Sequence, residues 1–453
     1  MADRYAVVWT RIGGAPRKMG TLFVSDTEAR FSYTPEFAES GLPGLSLVYP
    51  PERFGTRPVV YRRGRLHPRL RALIPPAGEH GFQRALLLAA LRARGEAPPP
   101  GFEEDWALLL LAGHGGIGHV DCFADDEAAN AWYHERHPAP LVEIGPRMGE
   151  TLRSLVAWLD ADAAAVVQLL GPTPTVGGAI PKLLVAIPRS GWTGEVAAPT
   201  KGLPEERDRL DVVLKLERGQ TYPGLVELEA MALEVHRAAG FPVPRWWRCE
   251  VGGLPALAVE RFDRTPEGEP IPFESWFSIL AAGARDIATP YDGSLERIGR
   301  AIDNPRLPLV GDRKGAKRHL FQRLLLALLT GNGDLHLENL GLLGWGEGAR
   351  FAPVYDPTPM RAYSLHDLLC ALPFGGYGQP AGRGGRMVGL AEAVERFGRA
   401  LGIRRRERAR HVAAALAATA DYPERIAALA TLPDHHKGRL EAIHREVRSH
   451  LAP

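Results

Sequence analysis

The chain has 453 residues, 45% of them hydrophobic and 24% charged, and its formal net charge at pH 7 is +2. This composition is typical of a globular protein of two or three domains, and the small net charge gives no general attraction to nucleic acid. The three cysteines, Cys122, Cys249 and Cys370, have neither the spacing of a metal site nor that of a disulfide framework. Because the sequence also lacks a signal-peptide pattern and an apolar run long enough to span a membrane, it predicts a protein of the reducing cytoplasm.

Residues 1–150 are predicted to form an α/β subdomain of short strands and helices. Alternating apolar residues and helical periodicity predict three strands and then two helices, at 5–10, 21–24, 45–49, 82–94 and 103–111. The run Pro98–Gly101 is expected to separate the two helices, because proline and glycine interrupt regular structure.

The rest of the chain divides into a mixed block and a helical block. Residues 151–270 are predicted to alternate strands with one helix, Leu225–Ala239, which a following glycine and proline end. Residues 271–453 are predicted to be mainly helical, apart from a hairpin at 340–356 and a loop rich in glycine and arginine at 374–389. The three blocks together predict an α+β protein.

The segment Gly331–Asn339 carries the strongest chemical signal in the sequence. Hydrophobic residues at helical spacing in 316–330 predict a helix that ends where this segment begins. Two short strands around a glycine-rich turn are predicted after it, at 340–343 and 351–355. A helix, a polar loop and a hairpin in this order are typical of the C-lobe of kinases.

The polar residues of this region suit metal-dependent phosphoryl transfer. Asp334 and Asn339 are five residues apart, and Asp356 follows the predicted hairpin. Such a reaction needs one carboxylate to orient the attacking hydroxyl, which Asp334 could supply. It also needs an amide oxygen and a second carboxylate to hold Mg²⁺ against nucleotide phosphates, and Asn339 and Asp356 could supply these. The alternative is that Asp334 and Asn339 only stabilise turns, as these residue types commonly do.

Lys215 is a candidate for binding nucleotide phosphates. It lies within an otherwise apolar strand pattern at 211–216, where an inward-facing ammonium is costly unless it meets a negative partner. Glu227 or Glu229 on the predicted helix could pair with it, as glutamates of kinase helices do. The alternatives are a lysine at a strand edge and two glutamates that face solvent.

Two further segments could contact a nucleotide. Ala256–Asp263 is predicted to be a strand that ends in charged residues, and in a kinase it would be the hinge whose backbone binds the adenine edge. Thr175–Lys182 is a glycine-containing turn, predicted between strands, whose amides could surround phosphates, although paired glycines occur in many turns. A third stretch, Gly113–Gly118, formally matches a dinucleotide-binding motif. It follows a predicted helix instead of a strand, so we interpret it as an ordinary loop.

These segments together resemble the HipA family of serine/threonine protein kinases, which are toxins of type II toxin–antitoxin modules. The resemblance rests on Gly178–Lys182, the strand with Lys215, Gly240–Pro244, Ala258–Asp263, Gly331–Asn339 and Ala352–Asp356. It implies a protein-kinase-like two-lobed fold. The extra N-terminal α/β subdomain would occupy residues 1–150, the N-lobe with the phosphate loop and hinge 151–270, and the helical C-lobe with the catalytic loop and metal site 271–453.

The resemblance also implies a role for individual residues. Asp334 would be the catalytic base, and Asn339 and Asp356 would be the ligands of Mg²⁺. The residues expected to contact ATP are Gly177, Gly178, Ala179, Lys182, Lys215, Glu260, Phe262, His336, Asn339 and Asp356. Thr175 stands where the family commonly has an autophosphorylated serine, so Thr175, or Thr173 near it, is expected to be a regulatory phosphorylation site.

Three classes of function are compatible with the sequence. The resemblance favours an ATP- and Mg²⁺-dependent serine/threonine protein kinase that acts as a toxin on a translation component such as an aminoacyl-tRNA synthetase. Its partner would be a helix-turn-helix antitoxin, and it would contact DNA only through that antitoxin. The alternative is a small-molecule phosphotransferase, because Gly-Asp-Leu-His followed by Asn also resembles aminoglycoside and choline kinases. The third is a catalytically silent binding protein that retains the fold.

Overall fold

The computed structural model describes residues 3–62, 66–77, 81–135, 138–157, 163–170, 172, 180–381 and 385–452. The chain folds into two compact units. The first consists of Met1–Arg218 with Arg245–Glu274, and the second consists of Gly219–Pro244 with Ser275–Pro453. None of the helices among the described residues combines the length and hydrophobicity that crossing a lipid bilayer requires.

The first unit is the richer in strands. Its strands, the last of which ends one residue beyond the unit, are β1 (Arg4–Thr10), β2 (Arg17–Val24), β3 (Glu28–Tyr33), β4 (Val59–Arg62), β5 (Asp121–Phe123), β6 (Val142–Glu143), β7 (Lys182–Pro188), β8 (Glu195–Val196), β9 (Arg209–Leu216), β10 (Trp246–Val251), β11 (Leu254–Glu260) and β12 (Phe273–Ser275). Its α-helices are α1 (Pro35–Ala38), α2 (Pro51–Phe54), α3 (Pro68–Arg71), α4 (Phe82–Ala93), α5 (Phe102–Ala112), α6 (Asp126–His134), α7 (Pro146–Val156) and α8 (Ala163–Leu170).

An antiparallel sheet of order β4-β3-β2-β1-β5 is formed near the amino terminus of the chain. Alternate residues of its strands point to one face, so Val8, Leu22 and Phe31 are buried in the same core. Leu108 and Leu109 of α5 belong to this core as well. The helix therefore covers the apolar face of the sheet.

A second antiparallel sheet has the order β10-β11-β9-β7. One face of it, which includes Val185, Val212 and Leu214, is buried together with Leu86 of α4 and Leu152 of α7. The opposite face carries the residues at the alternate strand positions, because successive side chains of a strand point in opposite directions. This opposite face carries Lys182 of β7 and Lys215 of β9.

The second unit is mainly helical. Its elements are α9 (Leu225–Ala238), α10 (Trp276–Gly283), α11 (Leu295–Ile302), α12 (Arg313–Thr330), β13 (Gly341–Leu343), β14 (Arg350–Phe351), α13 (Leu390–Ala400), α14 (Arg405–Ala418), α15 (Tyr422–Ala427) and α16 (Asp434–Leu451). The carboxyl-terminal half of α12 is buried on all sides, as its run of leucines predicts for a central helix.

Several predicted elements are confirmed by the structure. The strands at 5–10 and 211–216 correspond to β1 and β9, and the helices at 82–94 and 225–239 correspond to α4 and α9. The helix at 316–330 is also present, and it begins three residues earlier than predicted. In the three helices a periodic pattern lies next to a glycine that defines an end, namely Gly81, Gly224 and Gly331.

Four other element predictions are wrong in whole or in part. The segment 45–49 is a turn, because the carboxylate of Glu274 accepts hydrogen bonds from Ser46 Oγ at 2.7 Å and from the amide of Leu47 at 2.7 Å. The block 151–270 was predicted to contain one helix, whereas α7 extends into it and α8 lies within it. The apolar run of α8 is too short for its periodicity to distinguish helix from strand. The predicted strands at 256–263 and 351–355 end earlier, at Glu260 and Phe351.

Candidate active site

The loop that follows α12 begins with a left-handed turn. Gly331 has a φ of +75°, and the amide of Asn332 donates to the carbonyl of Ala327 at 2.8 Å, which together form the Schellman motif that commonly ends helices. Asn332 is fully buried, and its Oδ1 accepts a hydrogen bond from the amide of Asp334 at 3.0 Å. The helix end and the buried asparagine therefore fix the backbone of Asp334.

Asp334 and Asn339 are connected by a hydrogen bond within this loop. Nδ2 of Asn339 donates to the backbone carbonyl of Asp334 at 2.9 Å, so Oδ1 of the same amide points away from that carbonyl. Leu335 and Leu337, which lie between them, are fully buried, whereas the side chain of Asp334 is 29% exposed. The buried leucines anchor the loop while the aspartate remains accessible to a reactant.

Tyr291 and His336 lie beside the carboxylate of Asp334. The hydroxyl of Tyr291 donates to Oδ1 of Asp334 at 3.1 Å. Nδ1 of His336 accepts a hydrogen bond from the amide of Glu338 at 3.2 Å, so the proton of the neutral ring is assigned to Nε2, which lies 3.7 Å from Oδ2 of Asp334. The rings of Tyr291 and His336 pack edge to face with their centroids 4.8 Å apart.

The hairpin of β13 and β14 returns the chain to the end of the loop. The hydroxyl of Tyr355 donates to the carbonyl of Glu338 at 2.7 Å, so the segment after the hairpin is hydrogen-bonded to the loop that contains Asn339. Burial raises the pKa of Tyr355 well above its usual value, and the negative charges of Asp356 and Glu338 add to this effect. Tyr355 therefore keeps its proton and remains a hydrogen-bond donor.

The oxygen atoms of this region fit a magnesium ion. The amide oxygen of Asn339 and the carboxylate of Asp356 are hard ligands. Mg²⁺ commonly takes one or two protein carboxylates and completes its coordination with water and substrate phosphates. Within the part of the chain that the structure describes, no group of three or more His, Cys, Asp or Glu side chains is arranged to hold a metal ion.

The first unit holds two buried lysines on one face of its four-stranded sheet. Lys182 of β7 and Lys215 of β9 are directly opposite each other in the antiparallel pairing, and each is 5% exposed. The sequence singled out both lysines, and the register of the strands places them side by side.

Of the predicted hinge residues, Glu260 is the last residue of β11 and Phe262 lies two residues beyond it. The amide of Glu260 donates to the carbonyl of Arg245 at 2.9 Å, so that amide is already used within the protein. The carboxylate of Glu260 accepts two hydrogen bonds from the guanidinium of Arg245, at 2.7 and 2.8 Å. The ring of Phe262 packs edge-on against Phe273, with centroids 5.5 Å apart. The adenine-binding role of the two residues stays a prediction.

Arg261 is the centre of a buried ionic network that sequence reasoning missed. Its guanidinium donates to both carboxylate oxygens of Asp263, at 3.0 and 2.9 Å, and to the carbonyls of Gly115 and Gly116, at 3.1 and 2.6 Å. Its Nη1 also lies 3.4 Å from the carboxylate of Asp211. The glycine-rich stretch 113–118 lies between α5 and β5, and Arg261 holds it through these carbonyl contacts.

The electrostatics of this network favour the charged forms. Burial alone would raise the pKa of Asp263, but the positive charges of Arg261 and Arg264 outweigh this effect and lower the pKa to about 2. The amide of Gly118 also donates to Asp263 at 2.6 Å. The network therefore holds the loop, β9 and the end of β11 together through charge-assisted hydrogen bonds.

Two site neighbours were missed and several predicted residues are not described. The side-chain oxygen of Asn332 accepts a hydrogen bond from the amide two residues later. Asparagine commonly makes this contact in turns, so its role in fixing the loop could have been predicted. Tyr291 is 43 residues from Asp334 in sequence and no local pattern connects them. The predicted residues that lie outside the described part of the chain are Thr173, Thr175, Gly177, Gly178 and Ala179.

Residues 175–423 match the family model described as the HipA-like C-terminal domain. In Sinorhizobium fredii, the protein named "Putative kinase Y4dM" is 29% identical over 185 residues, and "Putative kinase Y4mE" is 24% identical over 294 residues. These alignments cover 38% and 61% of this chain, and 40% and 61% of the two relatives. The chain thus spans less than two thirds of the length of these curated relatives.

The fold is similar to that of a solved structure, the complex of the Shewanella oneidensis MR-1 toxin–antitoxin system HipA, HipB and its operator DNA. The TM-score is 0.65 at 18% sequence identity, and the similarity covers 98% of this chain and 96% of the other. This likeness extends over both units and confirms the α+β fold class that the sequence predicted.

Proposed function

The chain belongs to the HipA-like C-terminal domain family, and from this premise we propose that it is an ATP- and Mg²⁺-dependent serine/threonine protein kinase. The observation that carries the proposal is the loop in which Nδ2 of Asn339 is bonded to the carbonyl of Asp334. This bond turns the amide oxygen of Asn339 outwards, on a loop that also presents an accessible carboxylate. These are the two groups that phosphoryl transfer requires of such a loop.

In the proposed reaction Asp334 accepts the proton of a serine or threonine hydroxyl. The hydroxyl oxygen bonds to the γ-phosphorus of ATP as the bond between that phosphorus and the bridging oxygen breaks, so the products are a phosphorylated side chain and ADP. Asn339 and Asp356 would hold Mg²⁺, which when bound compensates the charge of the phosphates. The protein contributes mainly by positioning the reactants and by stabilising charge.

Lys182 and Lys215 of the first unit are our candidates for binding the phosphates of ATP. Lys182 and Lys215 are buried and opposite each other, which suits the binding of adjacent phosphate groups. The family resemblance adds a phosphate loop at Gly177–Ala179 and a regulatory phosphorylation site at Thr175 or Thr173. A phosphate at that site would repel the phosphates of ATP and lower the activity.

A toxin–antitoxin role is part of the same proposal. The solved relative is HipA in complex with HipB and operator DNA. For this chain we expect a helix-turn-helix antitoxin as partner, with DNA bound through that antitoxin and a translation component, such as an aminoacyl-tRNA synthetase, as substrate. The net charge of +2 is consistent with indirect binding, because it gives this chain little attraction to DNA.

The experiment that tests the proposal is thiophosphate labelling of a cell lysate. Purified wild-type protein is incubated with the lysate, Mg²⁺ and a γ-thiophosphate analogue of ATP, and the Asp334→Asn variant is used in parallel. We expect label on the serine or threonine of a small number of proteins with the wild type, and none with the variant. Label found only on small molecules would support the aminoglycoside- or choline-kinase alternative and overturn the protein-kinase proposal.

A further inference from the structure

A tyrosine of this chain already makes the contact that the acceptor of the proposed kinase would make. The hydroxyl of Tyr291 donates a hydrogen bond to Oδ1 of Asp334 at 3.1 Å. In the proposed reaction, an acceptor hydroxyl must donate to this carboxylate before its proton is transferred. Partial burial and the charge of Asp334 raise the pKa of the tyrosine hydroxyl, so it stays protonated and remains a donor.

The backbone that presents Tyr291 is firmly held. The carbonyl of Pro290 accepts a hydrogen bond from the amide of Leu337, in the catalytic loop, at 3.0 Å. The carboxylate of Asp292 accepts from the amides of Ala288 and Thr289, at 2.9 and 2.6 Å. Because the residues on both sides of Tyr291 are held by hydrogen bonds, the backbone of this segment positions the tyrosine next to Asp334.

The side chain of Tyr291, in contrast, is held weakly, so another hydroxyl can displace it from Asp334. Tyr291 is 50% exposed, although it is a large aromatic residue. Hydrogen bonds from a hydroxyl to a carboxylate are usually about 2.5–2.7 Å long, and this one is 3.1 Å. Its ring contacts His336 edge to face. Because half of the side chain faces solvent, rotation about its χ1 angle can carry the hydroxyl away while the backbone stays in place.

We propose that the Tyr291 hydroxyl occupies the place of the acceptor hydroxyl at Asp334, and that every acceptor must displace it before phosphoryl transfer. This inference rests on the proposed function, since it assumes that Asp334 is the catalytic base. Tyr291 then sets the acceptor concentration at which the enzyme works, because displacement uses part of the binding energy of the acceptor. It also disfavours water, which binds too weakly to displace the hydroxyl efficiently.

The test compares the steady-state kinetics of wild type and Tyr291→Phe at saturating Mg-ATP. The acceptor is a mixture of short peptides that each contain one serine and no tyrosine, and ATP hydrolysis by water is measured separately. Removing one net hydrogen bond should lower the KM for the peptides by roughly threefold to tenfold. The kcat for peptides and the KM for ATP should not fall or rise by more than about twofold, and hydrolysis by water should increase.

Two further variants make the result specific. Tyr377→Phe removes the hydroxyl of another half-exposed tyrosine of the same unit, whose ring stacks on Phe374, and it should leave every constant unchanged. Tyr291→Leu removes the same hydroxyl with a different shape, so a lowered KM in both variants would exclude an effect of ring packing.

Three kinetic results would contradict the inference or the function on which it rests. A lower kcat in Tyr291→Phe with an unchanged KM for the peptides would mean that the tyrosine orients Asp334 during catalysis, and it would overturn the inference. Unchanged constants in an active enzyme would overturn it as well, and the proposed function would stand. A wild-type protein that transfers phosphate to neither peptides, proteins nor water would overturn the proposed function, and the inference with it.

Discussion

Asp356 has a backbone φ of +47°, and among the described residues it is the one non-glycine with a positive φ. The left-handed region is unfavourable for residues with a Cβ, although aspartate and asparagine enter it more readily than others. Strained residues of this kind persist when the surrounding structure holds them, and they are found preferentially at functional sites. Here the residue before it, Tyr355, is fixed by its hydrogen bond to Glu338.

A comparison of Asp356→Gly with Asp356→Ala separates the role of the backbone from that of the carboxylate. Both variants remove the proposed metal ligand, so both should lose Mg²⁺-dependent binding of ATP. The glycine variant should be the more stable of the two by about 1 kcal/mol, because glycine adopts a positive φ without strain. Thermal unfolding measures the stability difference, and titration calorimetry with and without Mg²⁺ measures binding.

The stability of the two variants and their affinity for Mg-ATP test different properties of Asp356. Equal stability of the two variants would mean that residue 356 does not hold a left-handed conformation in solution. Wild-type affinity for Mg-ATP in both variants would mean that the metal is bound by other residues.

At the scale of elements, the loop after α12 is packed too closely to accept any side chain at Gly333. A Cβ built on this glycine would overlap the carbonyl oxygen of Leu368 and would lie 2.9 Å from Cγ of Arg361. The residue next to it is Asp334, so a shift of the loop would move the proposed catalytic carboxylate. Displacements of about 1 Å can reduce catalysis by roughly two orders of magnitude.

Gly333→Ala should therefore reduce both the stability and the activity of the protein. Forcing a methyl group into a packed region costs about 1–3 kcal/mol, and the rate of phosphate transfer should fall by at least about tenfold. Gly348→Ala is the matched control, because a Cβ at Gly348 meets no atom within 4 Å. That variant should stay within about 0.5 kcal/mol of the wild type. Equal effects of the two changes, measured by unfolding and by turnover, would contradict the close packing.

The arginine network of the first unit makes a second prediction at this scale. Arg261→Met leaves Asp263 buried without its main partner, which should lower the free energy of unfolding by about 3–5 kcal/mol at pH 7. Arg245→Met is the control, because Arg245 makes a similar two-point ion pair with Glu260 but is exposed. An exposed pair contributes about 0–1 kcal/mol.

The destabilisation by Arg261→Met should also depend on pH. The pKa of Asp263 in the folded wild type is about 2, below the ordinary value of 3.8. Its carboxylate therefore stabilises the wild type above pH 4, and this contribution is lost as the pH falls towards 2. In the variant, burial favours the neutral acid, so the stability gap should narrow over the same range. Urea unfolding at pH 7, 4 and 3 measures the gap, and a constant gap would contradict this assignment.

At the scale of the whole molecule, the parts that the sequence predicted well are those with local causes. The helix α12 and its end follow from its leucines and the glycine at 331, and the strand that contains Lys215 follows from its apolar pattern. Features made by distant residues were missed. Glu274 converts the predicted strand at 45–49 into a turn, and Arg261 binds a loop nearly 150 residues away in sequence. A single sequence carries no pattern that connects such positions.

The most direct measurement is phosphate transfer from Mg-ATP by the Asp334→Asn variant, with ATP affinity measured on the same preparation. Asparagine has the shape of aspartate and can still accept from Tyr291, so the fold and ATP binding should be retained. Loss of a positioned base should lower the rate by about 10²–10⁴. Asp421→Asn, which changes an exposed carboxylate paired with Arg425, should keep the wild-type rate. An Asp334→Asn variant that transfers phosphate as fast as the wild type would contradict the assignment of this loop as the catalytic centre.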